Sequence, residues 1–80
     1  MNFNLIIPPA AETAVTGYLM GAARQIGKSA WRLEIYRGEA FPRVYRNGEA
    51  QTSIANCPRA VIKFWTAFKS SDAFQYAINR

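Results

Sequence analysis

The chain contains no histidine and a single cysteine, Cys57. One thiol cannot close an internal disulfide, and without imidazole it cannot complete the four N/S ligands of a structural zinc site. Zinc fingers and disulfide-stapled secreted folds are excluded, and neither a metal nor a cofactor is expected. Carboxylates are scarce: five Asp/Glu stand against ten Lys/Arg, a formal charge of +5 over 80 residues. Glu12, Glu34, Glu39, Glu49 and Asp72 are scattered, with no close pair for acid–base work. A base poised near neutrality would have to be a shifted carboxylate or lysine. Long apolar runs are missing too. The run 5–7 stops at Pro8 and Pro9, far short of the roughly 20 residues of a membrane span and without the basic start of a secretory leader. A cytoplasmic protein with no membrane partner is expected.

What is present is a chain half hydrophobic, with apolar residues spread from position 3 to position 78. A chain this short buries only roughly 60–65% of its unfolded surface, so nearly every apolar residue is needed for one core. One domain over 1–80 is expected.

The apolar run 3–7, ended by two prolines, fits an edge strand. Val15, Leu19, Ala22 and Ile26 then fall at helical spacing, with Tyr18 beside them, which predicts a first helix over about 11–26 stopped by Gly27. From Ser29 the period changes to two. Trp31, Leu33 and Ile35 alternate with Arg32, Glu34 and Tyr36 up to a turn at Gly38–Glu39, and residues 41–46 alternate again. Asn47–Gly48 is a strong hairpin signal, because both central residues of a type I′ turn need positive φ. Residues 49–54 return as a third strand. Asn56, Cys57 and Pro58 supply a helix start, and Val61, Phe64, Trp65 and Phe68 form an apolar stripe. Ser70, Ser71 and Asp72 break that helix, so residues 73–79 form a short last one. The expected fold is α+β: a three-stranded antiparallel meander, with an optional N-terminal edge strand, packed against an N-terminal helix and one or two C-terminal helices.

Counting back from the turns places Glu34 opposite Arg43, Leu33 opposite Val44 and Arg32 opposite Tyr45. One face then carries Trp31, Leu33, Ile35 and Val44, beside Pro42, and wants the helices. The other carries Arg32, Glu34, Tyr36, Phe41, Arg43 and Tyr45, joined by Ala50, Thr52 and Ile54 from the third strand.

Three constellations could carry chemistry. Residues 21–29 end in Gly-Lys-Ser but hold five residues between the glycines where a phosphate-binding loop has four, and they precede a strand where that loop precedes a helix. Cys57 at a helix start is the one candidate nucleophile, and it has no histidine partner. The basic constellation is stronger: Arg24, Lys28, Arg32, Arg37, Arg43 and Arg46 place six of the ten cations within residues 24–46, interleaved with Tyr36, Phe41 and Tyr45. The planar guanidinium suits phosphates, base edges and carboxylates, and its face stacks on aromatic rings.

A non-enzymatic binding module is therefore expected. Arg32, Arg43 and Tyr45 would form the centre of its contact surface, with Tyr36, Arg37, Arg46, Lys28 and Arg24 around them, facing nucleic acid or a nucleoprotein complex. In topology the meander and its packing helix resemble the β-sheet DNA readers, whose exposed arginines and aromatics enter the major groove. The alternative is a small protein-binding inhibitor or adaptor, of the kind mobile elements direct at host machinery, docking an acidic protein surface. A metal-free RNase is the enzymatic alternative. Ala10, Ala14, Gly17 and Gly21 would share one face of the first helix. Two glycines cost roughly 1 kcal/mol each in a helix interior, so a close approach there, a homodimer seam through Ala14, Gly17 and Gly21 included, would offset them.

Overall fold

A computed structural model describes residues 4–6 and 18–79. Within them the chain forms β1 (Asn4–Ile6), β2 (Tyr18–Ile26), β3 (Ser29–Tyr36), β4 (Arg43–Arg46) and β5 (Glu49–Ala50). A 3₁₀ turn (Ile54–Asn56) then leads to α1 (Arg59–Lys69) and α2 (Asp72–Ile78). The strands make one antiparallel sheet in sequential order, and the fold is α+β.

The first helix is the main correction. Tyr18–Ile26 is a strand, and residues 11–17 lie outside those described. Helical spacing misleads here because β2 is buried on both faces and so shows no alternation. Met20 and Ala22 lie in the core with the helices, while Tyr18 and Gly21 are buried on the opposite side. A bulge at Leu19 adds to the disguise. Pairing passes from Tyr18↔Tyr36 to Met20↔Ile35, so two consecutive apolar residues, Leu19 and Met20, both pack toward the helices. Gly21 is selected by fit, since a Cβ there would lie 2.5 Å from the Tyr18 hydroxyl and 2.6 Å from the Leu33 carbonyl oxygen. With Gly21 sealed in a strand, no small-residue helix face exists at that position, and Ala14 and Gly17 lie outside the described residues. Gly27 is likewise not a helix stop. At φ +62° it opens the two-residue turn that joins Ile26 to Ser29.

The meander register is the expected one: Glu34↔Arg43, Leu33↔Val44 and Arg32↔Tyr45. Its first connection is longer than two residues. The Glu39 N–H donates to the Tyr36 carbonyl at 3.1 Å, with Gly38 at φ +84°, and the chain resumes as a strand at Arg43. Phe41 consequently belongs to this connection, 70% exposed, and not to a strand face. Asn47 and Gly48 both have positive φ, 51° and 88°, as a type I′ turn requires. Asn47 also ties this turn to β3: its N–H donates to the Ala30 carbonyl at 2.7 Å, and its Oδ1 accepts from the Ala30 N–H at 2.9 Å. The third strand of the meander is shorter than expected. It ends at Ala50, and Ile54 turns into the core through the 3₁₀ segment, whose Ala55 N–H is capped by Ser53 Oγ at 3.2 Å.

On α1, Val61, Phe64, Trp65 and Phe68 recur at helical spacing and are all buried. The break falls where expected: Ser71 donates its hydroxyl to the Phe68 carbonyl at 2.7 Å and accepts from the Phe74 N–H at 3.2 Å, which ends one helix and caps the next. Phe74 thereby folds back to complete an edge-to-face cluster with Trp65 and Phe68, at centroid separations of 5.8 and 5.2 Å. The core joins these rings to Met20, Ala22, Trp31, Leu33, Ile35, Val44 and Ile54.

Gly21→Ala tests the reassigned strand. Forcing a methyl between the Tyr18 hydroxyl and the Leu33 carbonyl should lower stability by about 2–3 kcal/mol in urea unfolding, the range of core overpacking. A helix at this position would instead gain from the same substitution.

Candidate functional site

Among the described residues, both helices pack on one face of the sheet, and the other face is lined by the sheet's own side chains. The pairing of β2, β3 and β4 brings Tyr18, Tyr36, Arg32, Glu34, Arg43 and Tyr45 together there. Tyr18 and Tyr36 stack with centroids 5.0 Å apart and planes 25° apart, and the Arg43 guanidinium covers the Tyr36 ring at 3.8 Å. Arg32 lies 4.5 Å above the Tyr45 ring. Each guanidinium thus has an aromatic plane beneath it, an attraction worth about 0.5–1 kcal/mol where exposed.

Both arginines also hold a carboxylate. Glu34, only 8% exposed, accepts from the Tyr36 hydroxyl at 3.0 Å and sits 2.8 Å from Arg32 Nε, although that N–H is not aimed at it, so the contact is an ion pair without an aligned hydrogen bond. Arg43 grips Glu39 with two hydrogen bonds, Nε to Oε1 at 3.2 Å and Nη2 to Oε2 at 2.8 Å. This fork holds the Glu39 carboxyl below its ordinary range and raises the Arg43 guanidinium further above its own. Two arginines and two carboxylates leave the centre of this face without net charge. The alternation placed one acid there; Glu39 was missed because it reaches in from the 37–42 connection, which has no period to read.

Burial in this assembly pushes the Tyr18 hydroxyl up to about 12, with the neighbouring Glu34 charge adding to the effect. Tyr36 is raised for the same first reason and because its hydroxyl donates a hydrogen bond to Glu34, which favours the neutral phenol. The Tyr18 hydroxyl has no hydrogen-bond partner among the described residues.

The remaining expected contact residues lie elsewhere. Arg24, Trp31 and Arg46 are cross-strand neighbours on the helix side of β2, β3 and β4. Arg24 rests 5.8 Å from the Phe64 centroid and Arg46 5.8 Å from the Trp31 centroid, with Arg46 Nε donating to Ser29 Oγ at 3.1 Å. Lys28 occupies the adjoining turn and is exposed. Arg24, Lys28 and Arg46 have no carboxylate partner among the described residues. Arg37 is exposed in the Tyr36–Glu39 turn at the far end. The eight expected residues therefore divide into a neutralised centre of Arg32, Tyr36, Arg43 and Tyr45, a cationic hairpin end of Arg24, Lys28 and Arg46, and Arg37 apart.

Cys57 donates its Sγ–H to the Ser53 carbonyl at 3.3 Å, and burial pushes its thiol up. Both effects favour the neutral thiol over the nucleophilic thiolate. Among the described residues no group of three metal-ligating side chains occurs, and no helix is long and apolar enough to cross a membrane.

Tyr18 gives a pH test. Its hydroxyl is neutral in the unfolded chain below about pH 10 and stays neutral in the folded protein up to about 12. Its contribution is complete below pH 10 and is lost as pH rises from 10 toward 12. The folded protein should lose roughly 2 kcal/mol more across that window than Tyr18→Phe does, by denaturant titration at each pH. Parallel profiles for the two proteins would contradict the buried placement.

Comparison with known proteins finds no matching family model and no match among curated proteins or solved structures.

Proposed function

We propose that this protein is a non-enzymatic binding module for nucleic acid or a nucleoprotein complex, entered through its cationic hairpin end. One observation carries the reading: Arg24 and Arg46 flank Trp31 in a single cross-strand row, with Lys28 in the turn beyond, and none of the three is paired with a carboxylate among the described residues. Unpaired cations held on rigid strands release condensed counterions when they meet phosphates, which is the main source of sequence-independent affinity. The Arg32/Tyr45 and Arg43/Tyr36 stacks contribute in a second way. Each arginine side chain remains 41% exposed and is already oriented by its ring and carboxylate, so its guanidinium offers a flat surface for an unpaired base.

A second reading has its own support. The neutral centre of the sheet face combines preorganised Arg and Tyr, the residue types that dominate protein–protein hot spots. A small inhibitor or adaptor docking a protein would use that centre, with the cationic end steering it toward an acidic surface.

Fluorescence anisotropy against a labelled single-stranded oligonucleotide over a salt series separates the two. Nucleic-acid binding predicts a linear fall of log affinity with log salt, and a slope smaller by about 0.7 for each of Arg24→Ala, Lys28→Ala and Arg46→Ala. Tyr45→Ala should cost about 1–3 kcal/mol while leaving the slope in place. No binding at low salt, together with capture of a partner from nuclease-treated lysate that Arg32→Ala abolishes, would favour the protein reading.

A further inference from the structure

Helix α1 buries Val61, Phe64, Trp65 and Phe68, and its outer face carries Arg59, Ile62, Lys63 and Thr66, all exposed. The helix contains no acidic residue. Arg59 and Lys63 have no carboxylate partner among the described residues. Neither cation serves the helix. Arg59 stands in the first turn, where the macrodipole disfavours positive charge, and Lys63 follows it one turn later as a like-charged neighbour at i,i+4. Lys69 is the contrast: it lies in the last turn, which the dipole favours, with its ammonium 5.6 Å from the Trp65 centroid.

Arg59 and Lys63 also adjoin the cationic hairpin end. The Arg24 guanidinium rests against α1 at Phe64, while α2 packs at Trp65 and Phe68. Ala60 and Ala67 lie between Phe64 and Lys63 on the helix surface, since each is an i,i+3 or i,i+4 neighbour of both. The path from Arg24 to Lys63 across α1 thus crosses only small side chains of that helix. A phosphate backbone that meets Arg24 can continue that way without encountering a carboxylate of α1. The apolar stripe of α1 is used in the core, so the outer face offers a partner mainly charge and hydrogen-bond donors, which suits phosphates.

We propose that Arg59 and Lys63 extend the cationic hairpin end into one track for the phosphate backbone of a nucleic-acid strand. The proposal rests on the nucleic-acid reading of Arg24, Lys28 and Arg46 and adds a second element of the fold to it.

The test uses the whole protein and a labelled single-stranded oligonucleotide of about 16 nucleotides, near the upper end of common single-strand site sizes. Arg59→Gln and Lys63→Gln are combined, because glutamine keeps helix propensity while removing the like-charge pair and the unfavourable dipole contact. In urea unfolding the double variant should be at least as stable as the unmodified protein. In an anisotropy salt series its slope of log affinity against log salt should be smaller by about 1.4, and its affinity at low salt should fall about tenfold. Lys69→Gln, which removes a cation that the helix itself uses, should leave the slope in place. An unchanged slope in the double variant, or the same slope change per charge in Lys69→Gln, would overturn the track while leaving the hairpin reading intact. Lower stability in the double variant would mean that the two cations serve the fold, and would overturn it too. Absence of binding by the unmodified protein at low salt would remove both readings.

Discussion

A carboxylate left 8% exposed in the middle of a sheet needs partners, because removing a charge from water costs several kcal/mol even after relaxation. Glu34 has them on both sides, an ion pair with Arg32 and a hydrogen bond from Tyr36. The other contacts on that face follow from this one. Arg32, drawn toward Glu34, covers Tyr45; Tyr36, held by its hydroxyl, offers one ring face to Tyr18 and the other to Arg43; and Arg43 in turn fixes Glu39. Tyr18 then closes over Gly21, the position in β2 where a Cβ would collide with it.

The need for such a network follows from the size of the chain. Two helices of eleven and seven residues cover one face of the sheet, and the rings of Phe64, Trp65, Phe68 and Phe74 are all used there. Among the described residues, the opposite face carries amphipathic side chains that bury their stems and rings while leaving polar ends in water. That solution fixes the arginines but neutralises them. Arg24, Lys28 and Arg46, which have no carboxylate partner among the described residues, lie at the hairpin end, apart from the surface richest in arginine and tyrosine. Affinity for phosphates and selectivity through stacking accordingly fall to different parts of the molecule in the proposed function.

Legibility in the sequence tracks how many faces of each element are buried. β3 and β4, with one face in the core and one half-open, alternate cleanly, and Asn47–Gly48 has a conformational requirement that few other residue pairs meet. Their register, and with it the grouping of Arg32, Arg43 and Tyr45, could be derived from the chain alone. The stripe on α1 and its break at Ser70–Ser71 were equally plain. β2 was not. Covered on both sides, shifted by a bulge and made of small residues chosen for close approach, it presents the spacing of a helix. The Glu39–Arg43 fork was hidden for another reason: it depends on the path of an irregular connection.

The central claim is that Arg32 and Arg43 are held in place by Glu34 and Glu39 while Arg46 is not held by any carboxylate among the described residues. Nitrogen-detected NMR of the guanidinium groups measures this directly, through the rate of rotation about each Nε–Cζ bond at neutral pH. The account predicts slow rotation for Arg32 and Arg43, faster rotation for Arg46, and release of Arg32 alone in Glu34→Gln. Equal, fast rotation at all three arginines, unchanged by Glu34→Gln, would contradict it.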